Sequence, residues 1–178
     1  MDLGFGQPDD GIMQMAYVVP DIDVAIQSWI DNLGVGPWFL LDCFTGDDPI
    51  YRGQPAQGSA KLAMSFAGHM NVELIQPNDD LPSVYNEHIA VKGHGFHHFG
   101  MATDDYSADK EKYLAMGYEL AFEAGVPTGG KVGYLDTRGA LPGYLELIET
   151  GELMEAVFTN FWKQAIGWDG SDPVRPFA

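Results

Sequence analysis

The chain has 178 residues, of which 46% are hydrophobic and 12% aromatic, a composition that suffices for the core of one compact domain and excludes a disordered chain. With 26 acidic and nine basic residues, its net charge is −17, which repels nucleic acid and anionic membranes, so we expect neither as a partner. The single Cys43 excludes an intramolecular disulfide framework, and the absence of a signal segment or a long apolar run predicts a cytoplasmic protein.

The first half of the chain predicts one strand, one helix and three further strands. Asp21 is the expected N-cap of the helix and Gly34 its stop, while the Gly-, Pro- and Asp-rich segment 45–58 is typical of a loop. The expected elements are a strand near 12–19, a helix near 22–32, and strands near 37–44, 59–67 and 70–76.

The second half repeats this pattern. The stretch "QMAYVVPDIDVAIQSWIDNLG" from Gln14 and the stretch "HFGMATDDYSADKEKYLAMG" from His98 share a strand, an acidic cap, a helix and a closing glycine. Ser107 is the expected helix cap here and Gly117 the stop. The expected elements are a strand near 96–103, a helix near 107–116, and strands near 118–124, 131–136 and 143–149.

Strand alternation places four polar side chains on one face of the predicted sheet. The bulky apolar residues of each strand belong against the helices, which leaves small Ala16 and Gly100 on the other face. His97 is expected on the face opposite His98, in a structural hydrogen bond. The polar set that shares the remaining face is Gln14, Glu73, His98 and Glu146.

The segments "IMQMAYVVPDIDVAI", "NVELIQP", "GHGFHHFGMATDD" and "GYLELIE" together resemble the vicinal oxygen chelate superfamily. This superfamily includes glyoxalase I, methylmalonyl-CoA epimerase, extradiol ring-cleaving dioxygenases and bleomycin-resistance proteins. The resemblance implies an α+β fold in which two paired βαβββ modules form a curved mixed sheet around a metal site. In a single domain over residues 1–178, the expected parts are a first module (12–77), a connector (78–95), a second module (96–150) and a C-terminal helix with an extended tail (151–178).

The resemblance also implies a ligand set, in which Gln14, Glu73, His98 and Glu146 hold one divalent metal ion. Many members carry histidine where this chain has Gln14, but some glyoxalase I enzymes share the same order of ligand types. Two carboxylates, an amide oxygen and an imidazole suit Zn²⁺, Ni²⁺, Co²⁺ or Mn²⁺. A single histidine counts against an Fe(II) dioxygenase. Epimerases tend to have an acidic base in the region that reads "YRGQPAQGSAK" here, and this stretch has no carboxylate.

A metal ion with open positions would polarise a substrate carbonyl and acidify the neighbouring C–H. Because the repeat relates Glu73 to Glu146, the two carboxylates could move a proton on opposite faces of the substrate. The resemblance to glyoxalase I implies Glu146 as the principal base. We therefore expect a metal-dependent lyase or isomerase that acts on a small substrate that is not polyanionic. The first alternative is a metal-free binding or resistance protein, and the second is a ring-cleaving dioxygenase.

Three further residues are candidates for substrate contacts. Trp38 and Tyr144 could help to form an apolar pocket, and Arg52 could meet a substrate anion. Apolar residues at helical spacing in 151–166 predict a helix that could pack under the sheet, close over the pocket or form a dimer contact. We expect a homodimer.

Overall fold

The computed structural model describes residues 2–177, in which one eleven-stranded mixed sheet is combined with four helices. The α+β class and the two βαβββ modules are confirmed. In chain order the elements are β1 (Ile12–Val18), α1 (Ile22–Leu33), β2 (Trp38–Phe44), β3 (Asp47–Tyr51), β4 (Gln54–Pro55), β5 (Ala60–Ala67), β6 (Met70–Pro77), α2 (Val84–Lys92), β7 (Gly95–Thr103), α3 (Tyr106–Ala115), β8 (Glu119–Gly125), β9 (Lys131–Asp136), β10 (Tyr144–Glu149), α4 (Glu152–Ala165) and β11 (Val174–Pro176).

The two modules meet at the centre of the sheet. The strand order is β11-β2-β5-β6-β1-β7-β10-β9-β8-β3-β4, and the first strands of the two modules, β1 and β7, pair antiparallel. On either side of this pair, β6 is parallel to β1 and β10 is parallel to β7. The internal repeat of the sequence is therefore a structural repeat, and its equivalent strands are the four central ones.

The sheet curves back toward itself because β2 and β3 lie near opposite ends of the strand order. Thr45 and Gly46 alone join them, and the three Cα steps from Phe44 to Asp47 can cover about 11 Å at most. Gly46 has a φ of +78°, and a Cβ there would lie 2.5 Å from the Cβ of Ala124 on β8. Only glycine can make this closing turn without strain.

The loop predicted at 45–58 contains two strands, so that prediction was wrong. β3 pairs antiparallel with β8 of the second module, and β4 pairs with β3. The segment is rich in Gly, Pro and Asp, which are depleted in strands, and these strands are short and lie at the edge of the sheet. Pairing with a distant strand, rather than local propensity, makes them strands.

Helices α1 and α3 cover the outer face of the sheet. Ile22 and Ile26 of α1 pack against Leu74 of β6, and Tyr106 of α3 packs with Leu147 of β10. The backbone N–H of Val24 donates to the Asp21 carboxylate, as expected for the first helix cap. The cap of α3 is Asp105, not Ser107, because its carboxylate accepts from Ala108 N at 2.9 Å.

Two helices lie on the inner side of the curved sheet. The first, α2, falls in the predicted connector and was missed, because "VYNEHIAVK" has no continuous apolar stripe at helical spacing. It buries Val84, Tyr85 and His88. The second is the predicted C-terminal helix α4, whose Phe161 stacks on Phe39 of β2 with ring centroids 3.8 Å apart. No helix in residues 2–177 is both long and apolar enough to cross a membrane.

Candidate metal centre

The four predicted ligands lie on the four central strands, β6, β1, β7 and β10. In the ladder, Ala16 of β1 is paired with both Glu73 of β6 and His98 of β7. Gly100 of β7 is likewise paired with both Gln14 of β1 and Glu146 of β10. The four polar side chains therefore surround two small residues, and the space above these small residues is free for the ends of the longer side chains.

Gly100 must be small at this position. A Cβ on Gly100 would lie 2.8 Å from both Cβ and Oε1 of Gln14 and 2.9 Å from Ile148. Real Cβ atoms do not approach other heavy atoms so closely, so any larger residue would push the amide of Gln14 away from the other three ligands.

The donor atoms converge on one nitrogen. Nε2 of His98 lies 3.0 Å from Oε2 of Glu146, 3.2 Å from Oε1 of Gln14 and 3.5 Å from Oε2 of Glu73. All four side chains are buried, with exposed fractions between 0% and 5%. One imidazole nitrogen thus faces three oxygen acceptors in a region with almost no access to solvent.

Glu73 is the least satisfied member of the group. Its Oε2 is buried and makes no hydrogen bond within the described residues. Burial, and then the charge of Glu146, raise the pKa of the Glu73 carboxyl well above its ordinary value. A cation placed between the carboxylates would oppose both causes because it favours the ionised form of Glu73.

The amide of Gln14 has a fixed orientation. Asn71, next to it on β6, donates from Nδ2 to the backbone carbonyl of Ser65, so its Oδ1 faces the other way. Gln14 Nε2 donates to that Oδ1 at 2.9 Å, which leaves Gln14 Oε1 directed toward His98. These two hydrogen bonds place Oε1 of Gln14, an atom that can bind a metal ion, at the centre of the site.

Strand alternation predicted His97 on the face opposite His98, but the structure does not place it there. The pairing of β1 with β7 shifts by one residue between Ala16 and Tyr17, so His97 is the extra residue of a β-bulge. Its Nδ1 lies 2.8 Å from Nδ1 of His98, and its Nε2 contacts the carbonyl of Val84 at 3.3 Å.

The four donors fit a divalent cation by chemistry and spacing. Adjacent ligands that share one ion at about 2.1 Å lie about 3 Å apart, close to the separations of 3.0–3.5 Å from His98 Nε2. Two buried carboxylates without a cation are costly, which also favours one. In residues 2–177, however, no group of three or more His, Cys, Asp or Glu side chains is already arranged as a metal site.

A small apolar cavity opens above this group. It has a volume of about 50 Å³, enough for a few water molecules. No lysine or arginine of the described chain lines it. Phe158 of α4 and Phe177 after β11 form part of its wall, so the C-terminal segment contributes to the cavity. The other lining residues are the polar Gln14, Glu73, Thr128, Tyr134 and Glu146 and the apolar Leu41, Phe44, Leu62, Met64, Val126, Pro127, Val132 and Ile148.

The three predicted substrate contacts lie outside the lining of this cavity. Trp38 is fully buried under α1 and donates from Nε1 to the carbonyl of Val35. Arg52 is engaged by three carboxylates, those of Glu87, Asp136 and Glu119.

Tyr144 belongs to the same polar cluster as Arg52. Its hydroxyl donates to Glu87 at 3.0 Å, and its ring packs on His97. Tyr144 and its neighbours line a second, more open cavity between α2 and the loop before β10.

Tyr134 is a site residue that the sequence did not reveal. It pairs with Glu146 across β9 and β10, its ring lies 4.9 Å from that of His98, and it lines the cavity. Its hydroxyl lies 3.3 Å from that of Tyr85. Burial, and then Glu146, raise the pKa of Tyr134 well above its ordinary value, so it stays protonated and can donate a hydrogen bond. Only the pairing of β9 with β10 brings it here.

Solved structures with the same fold include methylmalonyl-CoA epimerases. The enzyme from Mycobacterium tuberculosis is 20% identical to this chain. The structural match covers 82% of this chain and 91% of the epimerase chain, with a TM-score of 0.59. A hypothetical protein from Bacillus halodurans C-125 is 20% identical, and the match covers 79% of this chain and 94% of that protein, with a TM-score of 0.60. A variant of the Streptomyces coelicolor epimerase in complex with 2-nitronate-propionyl-CoA is 16% identical. This match covers 80% of this chain and 96% of the epimerase chain, with a TM-score of 0.56. At these identities the similarity establishes the fold alone.

The sequence comparisons point to the same family. No curated protein matches the chain. The family profile of the Glyoxalase/Bleomycin resistance protein/Dioxygenase superfamily matches residues 13–134, which contain three of the four candidate ligands. By this match, over more than half of its length, the chain belongs to the Glyoxalase/Bleomycin resistance protein/Dioxygenase superfamily.

Proposed function

We propose that the protein is a metal-dependent, glyoxalase-like lyase or isomerase that transfers a proton at the carbon next to a carbonyl. The observation that carries this proposal is the convergence of three buried oxygen acceptors on Nε2 of His98 within 3.5 Å. The family membership and the epimerase neighbours support an enzyme of this general type. A homodimer in the cytoplasm is the form in which we expect it.

Gln14, Glu73, His98 and Glu146 would hold one divalent ion, Zn²⁺, Ni²⁺, Co²⁺ or Mn²⁺. Gln14 supplies a neutral oxygen, His98 a nitrogen, and the two carboxylates a charge of −2 that balances the ion. When bound, the ion would supply Lewis-acid polarisation of a substrate carbonyl.

The two carboxylates suit opposite parts of a proton transfer. We assign Glu146, which lines the cavity, as the base that takes the proton from carbon. Glu73 lines the same cavity. Because the repeat relates it to Glu146, it would meet the substrate from the opposite side and could return a proton there. Tyr134 can donate a hydrogen bond to a substrate oxygen.

The cavity favours a compact, largely apolar substrate. A volume of about 50 Å³ accommodates only a few heavy atoms unless the walls move, and the apolar lining offers little to a charged group. The variant of the Streptomyces coelicolor epimerase binds 2-nitronate-propionyl-CoA, a coenzyme A derivative. In this chain no lysine or arginine lines the described cavity, so a carboxylate on the part of a substrate that enters it would have no cationic partner there.

A metal-free binding or resistance protein is the second candidate, and the largely apolar cavity favours it. Such a protein needs a pocket but no proton transfer. It does not account for two carboxylates buried beside one another at the floor of the pocket, which binding alone would not require. A ring-cleaving dioxygenase ranks third because His98 is the single histidine among the four residues.

A solvent-exchange assay separates these candidates. Protein loaded in turn with Zn²⁺, Ni²⁺, Co²⁺ and Mn²⁺ is incubated in D₂O with a panel of small α-hydroxy ketones, α-keto acids and hemithioacetals. We expect deuterium at the carbon next to the carbonyl, detected by mass spectrometry, and none in the EDTA-treated control. Binding of panel members without exchange under any metal would indicate the binding protein. In a parallel incubation with Fe²⁺ and a catechol, oxygen consumption with ring cleavage would indicate the dioxygenase.

A further inference from the structure

A bulge on β7 brings His97, which is not one of the four ligands, into direct contact with the ligand His98. Its side chain is fully buried between α2 and the sheet, where its ring packs against those of Tyr85, His88 and Tyr144. The two Nδ1 atoms of His97 and His98 are 2.8 Å apart, which is hydrogen-bond distance. One of these nitrogens must therefore carry the shared proton and the other must accept it.

The surroundings of His97 decide which nitrogen carries this proton. The ring of His97 is fully buried, and its two nitrogens contact another imidazole and a backbone carbonyl rather than a carboxylate, so the neutral ring with one donor and one acceptor nitrogen is favoured. Nε2 of His97 faces the carbonyl oxygen of Val84, which can only accept. The proton of His97 therefore lies on Nε2, and its Nδ1 is an acceptor. The reverse assignment would place two buried acceptors against each other, which is unfavourable.

We propose that His97 is a positioning residue that accepts the Nδ1 proton of His98 and thereby holds the ring of His98 with Nε2 facing Gln14, Glu73 and Glu146. The same contact fixes the plane of the His98 ring. The backbone carbonyl of Val84, the first residue of α2, then determines the tautomer of His98 through one intervening imidazole. This inference rests on the proposed function, because holding Nε2 of His98 toward the three oxygen atoms matters for binding a cation.

Without His97, the other tautomer of His98 would be favoured. An Nδ1–H with no acceptor is costly when buried, whereas a proton on Nε2 finds Glu146 at 3.0 Å. A proton on Nε2 would occupy the position that a cation needs. Ligand orientation by an outer hydrogen bond of this kind typically changes metal affinity about 10–100-fold when it is removed.

Two substitutions of His97 with nearly the same shape separate positioning from packing. His97→Asn keeps an acceptor oxygen close to the position of Nδ1, and His97→Leu does not. Both lose the aromatic ring, so the loss of packing and stability is similar in the two variants. The metal-free, full-length protein is labelled with ¹⁵N-histidine, and ¹⁵N shifts at pH 8 report which nitrogen of His98 is protonated. Zn²⁺ affinity is measured in parallel by titration.

We expect a proton on Nδ1 of His98 in the wild type and in His97→Asn. In the wild type, a ¹⁵N–¹⁵N scalar coupling across the hydrogen bond should join the two Nδ1 atoms. In His97→Leu the proton should lie on Nε2, and Zn²⁺ should bind about 10–100-fold more weakly than to His97→Asn. An unprotonated Nδ1 in the wild type, or the same proton position in both variants, would overturn the proposal. If the wild type binds no Zn²⁺, the proposed function fails, but the spectrum of the metal-free protein still tests His97.

Discussion

Glu146→Gln is expected to lower the rate of solvent exchange at least 100-fold while the fold is preserved. Glutamine has nearly the size of glutamate and can still contact His98 Nε2, but it cannot accept a proton from carbon, and general-base catalysis typically contributes about 10²–10⁴-fold. It also removes one of the two charges that hold the cation. Exchange is measured at saturating Zn²⁺ so that weaker metal binding does not account for the loss.

Glu149→Gln is the matched control for this prediction. Glu149 lies on the same strand, β10, outside the cavity, and accepts a hydrogen bond from the backbone N–H of Lys131, which glutamine can also accept. Its exchange rate should stay within about twofold of the wild type because surface substitutions have small effects. Exchange at the wild-type rate in Glu146→Gln would remove this residue from the role of base.

Glu73→Gln is expected to stabilise the metal-free protein and to weaken metal binding. The folded-state pKa of Glu73 is raised by burial and then by Glu146, so ionisation of this group opposes folding. The penalty is absent below the unfolded-state value of 4.5 and grows as the pH rises toward the folded-state pKa. At pH 8, glutamine should raise the free energy of unfolding by about 1–3 kcal/mol, the cost of an unsatisfied buried polar group.

The measurement is urea denaturation in EDTA between pH 5 and pH 8.5, compared with Glu87→Gln. Burial raises the pKa of Glu87, but hydrogen bonds from Arg52 and Tyr51 outweigh it and hold the pKa below its ordinary value. Ionisation of Glu87 therefore supports folding, and its replacement should destabilise the protein at neutral pH. Equal effects of the two substitutions would show that Glu73 is not an uncompensated buried charge. The expected changes in the free energy of unfolding have opposite signs, so the comparison tests whether the ionised carboxylate of Glu73 destabilises the metal-free fold.

The repeat in the sequence predicted where the four polar side chains lie more accurately than it predicted the placement of the residues around them. Because β1, β6, β7 and β10 alternate regularly at Gln14, Glu73, His98 and Glu146, a period of two placed these four side chains on one face. The same period predicted the wrong face for His97. A β-bulge adds one residue to β7 there, so the alternation of side chains is shifted by one beyond it.

Other features depend on contacts between distant segments, which no local pattern reveals. The loop at 45–58 becomes β3 and β4 because β8 of the other module pairs with β3. Arg52 is occupied by carboxylates 35–84 residues away in sequence, so its charge is not directed to the cavity. Asn71 and Tyr134 acquire their contacts to the ligands through sheet pairing alone. Helix α2 lacks an amphipathic stripe because its buried side includes the polar His88 while the apolar Val91 is exposed.

The most direct test of the account is the metal content of the purified, tag-free protein, measured by mass spectrometry beside His98→Ala. Four converging buried donors predict close to one divalent ion per chain in the wild type, either as purified or after reconstitution with Zn²⁺, Ni²⁺, Co²⁺ or Mn²⁺. The variant, which lacks the central nitrogen, should retain almost none. A wild-type protein that stays metal-free after all four reconstitutions would contradict the metal centre and leave a binding protein with two buried carboxylates.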